Sequence, residues 1–266
     1  MQATVIGVDF STTPTQTELA RATVFDASEA VVHEVRTASR GRSRIEVVAA
    51  WVRKACAGML ALIALDAPLG WPDAMRSDPF TSHSAGRPLQ VCADPLFSRE
   101  TDRQIRIRFD KRPLEVGANL IARTAHGALQ FLREMNTEIN GRAEPPLPLA
   151  CSPRDLQHGS RVIEVYPAAT LKSYGISTGS YKKRGEAGRS AHEAMIKALR
   201  TQGSTFESDV KDIAGNDNKV DVAVCVLAGW DFLAGRAMAP DNTTRKLAER
   251  EGWIWARQVA IAENGT

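Results

Sequence analysis

Four acidic side chains occupy positions from which they could act together. Asp9 and Asp66 each end a short apolar run, Glu164 lies inside a β-rich run, and Asp221 opens an apolar helical segment. Two carboxylates about 4 Å apart repel by roughly 4 kcal/mol at an effective dielectric near 20, so such a group needs a cation. Oxygen ligands without His or Cys favour Mg²⁺ or Mn²⁺, and a pair of such ions supports phosphodiester hydrolysis.

The first part of the chain predicts a three-stranded meander. Residues 4–10 are β-rich and nearly all apolar, and the Ser-Thr-Thr-Pro that follows ends this strand after Asp9. Residues 20–25 and 30–35 are two further β-rich runs, joined by a polar connection short enough for an antiparallel hairpin.

A helix and a fourth strand are predicted next. Apolar residues recur at helical spacing over 43–59, with Ser43 as N-cap and Glu46 completing a capping box. Residues 60–66 form a short buried strand that ends at Asp66 and is closed by Ala-Pro-Leu-Gly. Residues 67–160 are interpreted as a loop-rich insertion that contains one helix, over 115–135.

The remaining pattern completes one α/β domain over residues 1–266. Residues 161–166 predict a fifth strand, 190–199 and 220–237 predict helices, and 253–255 suggest a last edge strand. We therefore expect a mixed five-stranded sheet flanked by helices, with a long insertion after the fourth strand. This succession of elements resembles the ribonuclease H-like core.

The expected topology brings the acidic residues together. Ligands of such sheets gather outside the carboxyl ends of parallel strands, where Asp9 and Asp66 are predicted to lie. Asp221 could project into the same crevice from its helix, and Asp217, one turn earlier, could substitute for it or assist. The predicted catalytic residues are Asp9, Asp66, Glu164 and Asp221, and the predicted ligands of Mg²⁺ or Mn²⁺ are these four with Asp217. Turn formation, helix capping and pairing of Glu164 with a basic side chain are the structural alternatives.

Several stretches resemble a domain-of-unknown-function family described as predicted nucleases with a ribonuclease H-like fold. They are Val5-Ile-Gly-Val-Asp9, Ile63-Ala-Leu-Asp66-Ala-Pro-Leu-Gly70, Arg99-Glu-Thr-Asp102-Arg103, Val162-Ile-Glu164-Val-Tyr-Pro167, Asp221 at the head of its helix, and Glu251-Gly-Trp-Ile-Trp255. Together they span nearly the whole chain. The resemblance implies the fold and a metal-dependent nuclease site. At the helix, Val222 follows Asp221 where the family pattern has Asp-Ala.

Basic residues add a possible contact with nucleic acid. Arg99 and Arg103 belong to a run interleaved with acidic residues, for which a solvated face with local ion pairs is the alternative. Lys182 and Lys183 lie in the patch Tyr181–Arg184, which has no acidic neighbour before Glu186. We expect these four residues, with Ser11 and Thr12 after Asp9, to contact the phosphate backbone.

Composition sets broad limits on the class of protein. The chain has 266 residues, of which 43% are apolar and 24% charged, with a formal net charge of +3 that permits a polyanionic partner without requiring one. Its four cysteines form no C-x-x-C pair, and the start lacks the features of a signal peptide. We expect a cytoplasmic protein that is not embedded in a membrane. RNA, DNA, hybrid and junction substrates, endo- and exonucleolytic cutting, and any oligomeric state are all compatible with the sequence.

Two alternative functions follow from the same residues. Residues 7–13, Gly-Val-Asp-Phe-Ser-Thr-Thr, also resemble the first phosphate loop of actin-like sugar kinases, which would make the chain an ATP-dependent phosphotransferase. Those enzymes use two copies of the core, and only one convincing copy is found in the sequence. The other alternative is a nucleic-acid-binding domain that keeps the fold and has lost its chemistry.

Overall fold

The computed structural model describes residues 2–38, 44–56, 60–76, 92–117, 119–141, 145–178, 182–183, 185–207 and 210–259. The strands are β1 (Ala3–Asp9), β2 (Glu18–Val24), β3 (Ala30–Thr37), β4 (Leu60–Asp66), β5 (Arg161–Glu164) and β6 (Ser204–Phe206). They form one sheet in the order β5-β4-β1-β2-β3-β6. β1, β2 and β3 are an antiparallel meander, β4 is parallel to β1 and β5 to β4, and β6 is parallel to β3.

Helices cover both faces of this mixed sheet. They are α1 (Arg44–Cys56), α2 (Ala93–Phe97), α3 (Glu100–Phe109), α4 (Asn119–Asn140), α5 (Pro167–Ser173), α6 (Glu186–Thr201), α7 (Val210–Ile213), α8 (Asp217–Leu233) and α9 (Arg245–Glu251). Turns of 3-10 helix occur at Pro14–Gln16, Asp73–Arg76 and Pro153–His158.

Alternation along the strands divides the core into two layers. Val5 and Leu62 belong to the layer under α8, whereas Ile6 and Ile63 belong to the layer that also contains side chains of α1 and α4. Successive side chains of a strand point to opposite faces, so strands buried on both faces are apolar at nearly every position. This explains why β1 and β4 are almost continuously apolar until each ends at an aspartate.

α8 lies unusually close to β1 because glycines stand at the contact. A Cβ at Gly7 would lie 2.5 Å from the backbone oxygen of Val222, and a Cβ at Gly229 would lie 2.6 Å from Cγ1 of Val5. Real Cβ atoms do not approach other atoms this closely, so a side chain at either glycine would push the helix away from the sheet. The close contact fixes the height of α8 above the ends of β1 and β4.

The structure confirms a mixed sheet flanked by helices and modifies its details. It adds a sixth strand, β6, which is too short at three residues for a period-2 pattern to predict. The Arg-rich part of the expected loop region is helix α3, at whose start the Asp102 side chain accepts a hydrogen bond from the backbone N–H of Arg99. Residues 253–255 make a single bridge from Ile254 to Glu164 rather than a strand. Ser43, the predicted N-cap of α1, lies outside the described residues.

Two further features concern cysteine chemistry and membranes. Cys92, Cys151 and Cys225 are free thiols. Within the described residues, no helix combines the length and the apolar character that crossing a membrane requires.

We predict that Gly7→Ala lowers the free energy of unfolding by about 1–3 kcal/mol, the usual effect of adding a methyl group to a packed core. Urea denaturation followed by circular dichroism measures the change. Gly127→Ala in α4 is the matched control, because its Cβ would meet the Phe10 ring at an ordinary 3.4 Å and alanine favours a helix by about 1 kcal/mol. Equal effects of the two substitutions would contradict the close α8 contact.

Candidate active site

Asp9 and Asp66 lie side by side at one edge of the sheet. They are the last residues of β1 and β4, and their Cα atoms are register partners across the parallel pair. Adjacent strands are about 4.8 Å apart, and residues directly opposite point to the same face. Asp9 shares its face with Val5, and Asp66 shares its face with Leu62, so both carboxylates point toward the α8 layer.

The third carboxylate of this group, Asp221, comes from α8. The Asn216 side chain caps this helix by accepting hydrogen bonds from two backbone N–H groups. Asp221 follows in the second turn, next to Val222, whose backbone packs on Gly7, and its side chain is buried. We call Asp9, Asp66 and Asp221 the acidic centre. They converge from positions far apart in the sequence because the close α8 contact holds the helix over the strand ends.

One lysine partly balances the charge of the acidic centre. Nζ of Lys182 lies 3.2 Å from Oδ2 of Asp221. Its ammonium group also lowers the pKa values of Asp9 and Asp66, but other effects raise them further. Lys182 therefore supplies one positive charge beside three carboxylates.

Burial and mutual repulsion shift the pKa values of the strand-end aspartates upward. For Asp9, burial and then the charge of Asp221 raise the pKa to about 7. For Asp66, burial, Asp9 and Asp221 raise the pKa well above its ordinary value. Each shift means that the ionised form is disfavoured in the folded chain, and a bound cation would relieve this. Perturbed carboxyl groups of this kind cluster at functional sites.

In the present arrangement, the described residues contain no group of three or more His, Cys, Asp or Glu side chains that could together hold a metal ion. Asp9 and Asp66 remain an adjacent pair, whereas Asp221 is drawn into an ion pair with Lys182.

Glu164 ends β5, the strand next to β4 in the sheet, but its carboxylate binds residues outside the acidic centre. Nη1 and Nη2 of Arg99 donate to its two carboxylate oxygens at 2.8 and 2.7 Å, and the backbone N–H of Leu69 donates to Oε2 at 2.9 Å. Both oxygens are thus occupied, which does not fit the expected role of Glu164 as a metal ligand. Pairing with a basic side chain, the structural alternative, describes its contacts.

Arg99 is the centre of a buried ion cluster. Besides Glu164 it binds Asp102, through Nε at 3.1 Å and Nη2 at 2.9 Å, and the backbone oxygen of Glu251 at 3.2 Å. Burial alone lowers the pKa of Arg99, but Glu164 and Asp102 raise it above its ordinary value. Only 1% of the side chain is exposed, so its placement does not fit the expected contact with a phosphate backbone. We call Arg99, Asp102, Glu164 and Glu251 the Arg99 cluster.

The Arg99 cluster fixes the loop that follows Asp66. Glu251 accepts hydrogen bonds from the backbone N–H groups of Asp73 and Glu100, both at 2.7 Å. Gly70 packs so closely on the backbone of Glu251 that a Cβ would lie 2.5 Å from its oxygen. Sequence reasoning gave Glu251 no role, although it opens one of the stretches that carry the family resemblance.

Arg103, the second arginine expected to bind nucleic acid, is partly exposed at the surface of α3. It pairs with Glu100 at 2.6 Å and donates to the backbone oxygen of Ser98 at 2.7 Å. This is the local ion pairing that the alternating charges of the run predicted as its structural alternative.

Ser11, Thr12 and Asp9 line a groove of about 990 Å³ between the end of β1 and α4, which we call the α4 groove. Arg44 also lines the groove, and sequence reasoning missed it. Its guanidinium lies 4.2 Å from the centre of the Phe10 ring and donates to the backbone oxygen of Ser11. As the first residue of α1, it carried no sequence signal beyond its charge.

Lys182, Lys183 and Asp217 line a second pocket, of about 470 Å³, on the α6 side of the acidic centre. Lys182 thus belongs both to this pocket and to the ion pair with Asp221. Tyr181 and Arg184, the ends of the predicted basic patch, lie outside the described residues.

A family model entitled Protein of unknown function (DUF429) matches residues 7–245 of the chain. The chain belongs to this DUF429 family. The match includes both strand-end aspartates, the Arg99 cluster apart from Glu251, and α8. Comparison with curated proteins and with solved structures finds no significant match.

We predict that Arg99→Ala lowers the free energy of unfolding by about 3–5 kcal/mol, because it leaves buried carboxylates without their partner. Arg103→Ala is the matched control: it also removes an i,i+3 pair of α3, but at the surface, and should cost less than about 1 kcal/mol. Thermal and urea denaturation measure both changes. A similar small effect of both substitutions would contradict the structural role of the Arg99 cluster.

We also predict a pH dependence of stability that Asp9 causes. Its pKa is about 7 in the folded chain against an ordinary value of 3.8, so between these values the folded state binds more protons than the unfolded state. The contribution of Asp9 to stability is therefore greatest below about pH 4 and declines as the pH rises toward 7. With EDTA present, Asp9→Asn should be more stable than wild type at pH 8 by about 1–3 kcal/mol.

Urea denaturation across pH 4–8 measures this difference, and exposed Asp94→Asn serves as the control. If wild type and Asp9→Asn gave parallel stability curves over that range, Asp9 would not be the strained carboxyl described above.

Proposed function

We propose that this chain is a metal-dependent nuclease of ribonuclease H-like fold that hydrolyses phosphodiester bonds in nucleic acid. The observation that carries the proposal is the pairing of Asp9 and Asp66 at the carboxyl ends of two adjacent parallel strands, with Asp221 facing them from α8. Carboxylates that raise each other's pKa values in a buried crevice need a cation, and hard oxygen ligands select Mg²⁺ or Mn²⁺.

The order of elements supports the fold assignment. The meander β1-β2-β3, helix α1, strand β4, a long connection, strand β5 and later helices are the succession expected of a ribonuclease H-like core. In such a sheet the ligand site lies outside the carboxyl ends of the parallel strands, which is where the acidic centre is found.

The residues fit a Mg²⁺ or Mn²⁺ site built on two carboxylates. Mg²⁺ is commonly bound through one or two carboxylates, with water and substrate phosphate completing its coordination. Asp9 and Asp66 would hold the ion. The negative charges of Asp221 and Asp217 also act on Asp9 and would favour a cation there. When bound, the ion supplies Lewis-acid stabilisation of the negative charge that develops on the phosphate oxygens.

The protein's own residues provide the setting for this chemistry. Asp221 holds Lys182 beside the acidic centre, and 60% of the lysine side chain is exposed, so an anionic substrate can reach its ammonium group. Ser11 and Thr12 line the α4 groove together with Asp9, and their hydroxyl groups can contact a phosphate there. The Arg99 cluster holds the loop after Asp66 and contributes no free carboxylate.

Two other functions were compatible with the sequence. The phosphotransferases resembled by residues 7–13 bind nucleotide between two copies of the core, whereas the strands described here form one sheet. In a non-catalytic nucleic-acid-binding domain, a pair of carboxylates that destabilise each other would not contribute to binding a polyanion. The acidic centre therefore favours the nuclease.

We predict that Asp9→Asn and Asp66→Asn each abolish cleavage of nucleic acid in Mn²⁺ or Mg²⁺, because each leaves one carboxylate where two are needed. A panel of single-stranded, duplex, hybrid and branched DNA and RNA substrates, analysed by denaturing gel, measures the effect. Asp94→Asn is the matched control, since this aspartate is exposed on α2 and does not belong to the acidic centre.

Equal cleavage by wild type and Asp9→Asn would identify the activity as a contaminant and contradict the proposal. Absence of cleavage on every substrate, together with thermal stabilisation by ATP, would favour the phosphotransferase. Metal-independent binding without cleavage would favour the non-catalytic domain.

A further inference from the structure

A basic pocket adjoins the acidic centre on the side of α6. It has a volume of about 470 Å³, and Lys182, Lys183 and Arg189 supply three basic side chains to its wall against one carboxylate, Asp217. Clusters of like charge in a concave surface attract a counter-ion more strongly than the same charges spread over a convex surface.

Two of these basic side chains are available to a ligand. Neither Lys183 nor Arg189 forms an ion pair with any carboxylate among the described residues, and both are exposed. Lys182 differs, because Asp221 already holds its ammonium group. Within the described part of the chain, the pocket therefore carries two cations without an ion-pair partner and a third that is shared with the acidic centre.

Two glycines at or beside the pocket lie against the residues that carry these side chains. A Cβ at Gly188 in the first turn of α6 would lie 1.8 Å from the backbone oxygen of Lys183, so the lysine segment lies directly on this turn. On the opposite wall, a Cβ at Gly215 would lie 3.7 Å from Nη2 of Arg189, which places the guanidinium over that glycine. The close contact thus fixes the backbone of Lys183 on α6, and the Arg189 guanidinium lies at ordinary van der Waals distance over Gly215.

Lys182 connects the pocket with the acidic centre. It lines the pocket, its Nζ lies 3.2 Å from Oδ2 of Asp221, and its charge acts on both Asp9 and Asp66. A ligand group held by Lys183 and Arg189 consequently lies next to the carboxylates at which the proposed reaction occurs.

We propose that this pocket binds a phosphate group, with Lys183 and Arg189 as its principal contacts and Lys182 at its border with the acidic centre. The inference rests on the proposed function and extends it, because it assigns the phosphate-binding subsite of the substrate. Arg suits the geometry of phosphate oxygens and Lys acts as a point charge, so the pair gives affinity without base specificity. The phosphate can belong to a nucleic-acid backbone or be free in solution.

The test measures binding without chemistry. Labelled single-stranded DNA and RNA oligonucleotides are titrated with the full chain in EDTA, and fluorescence anisotropy gives the dissociation constant at several salt concentrations. Lys183→Ala combined with Arg189→Ala should weaken binding and reduce the slope of log affinity against log salt by about 1.4–1.8, the loss of two phosphate contacts. Lys197→Ala is the matched control, an exposed lysine two turns further along α6.

Gly188→Ala is a second variant that keeps every charge and changes only the close packing. It should weaken oligonucleotide binding as the double variant does, because the lysine segment can no longer lie on α6. Circular dichroism and a melting curve establish that each variant is folded. Unchanged affinity and salt slope in the folded double variant would overturn the inference.

Inorganic phosphate identifies the source of the ligand. Competition by millimolar phosphate in wild type but not in the double variant would assign the pocket to phosphate itself, whereas competition only by oligonucleotides would assign it to the backbone of a nucleic acid. Loss of binding in the double variant while Asp9→Asn still cleaves would retain the pocket and reject the nuclease. Unaltered binding in the double variant while Asp9→Asn is inactive would reject the pocket and retain the nuclease.

Discussion

Electrostatic repulsion between carboxylates that the sheet forces together is the constraint on which this site depends. Parallel pairing of β1 with β4 sets Asp9 opposite Asp66, and the close contact of α8 on Gly7 brings Asp221 over both. The fold thus places three acidic groups in a buried site, where solvent screens the repulsion between their charges only in part. Folding stability alone does not favour such an arrangement, since it raises the pKa values of both strand-end groups.

The buried carboxylates fall into two groups that differ in how their charges are balanced. Glu164 and Asp102 share the guanidinium of Arg99, and backbone N–H groups donate to the oxygens of Glu164 and Glu251. These groups are compensated in the manner of a structural cluster. Among the residues that the structure describes, the acidic centre has Lys182, from an exposed position, as its nearby cation, and this one charge does not balance three carboxylates. The contrast separates carboxylates that support the fold from those available for chemistry.

The strands and their acidic ends could be predicted because local patterns determine them. β1 and β4 are apolar on both faces, so their boundaries and the positions of Asp9 and Asp66 follow from the sequence. The three-residue strand β6 and helix α3 could not be predicted with the same rules, since the first is too short for a period and the second is rich in charge.

The roles of Glu164 and Arg99 depended on tertiary contacts that no local pattern contains. An arginine within an Arg-rich run is expected at the surface, yet Arg99 is buried because Glu164, distant in the sequence, reaches it from β5 and joins the local partner Asp102. The interior position of Glu164 in β5 signalled a partner, and the partner was a guanidinium. A buried carboxylate predicts a partner that neutralises its charge, and only the fold identifies that partner.

Calorimetric titration of Mn²⁺ into the metal-free chain at pH 6.5, in buffers of different ionisation enthalpy, tests the central claim most directly. The account predicts saturable binding that releases protons, because Asp9 has a pKa of about 7 and must ionise to bind, and predicts its loss in both Asp9→Asn and Asp66→Asn. Binding of equal affinity in wild type and the two variants, or binding without proton release, would contradict a cation site shared by these two carboxylates.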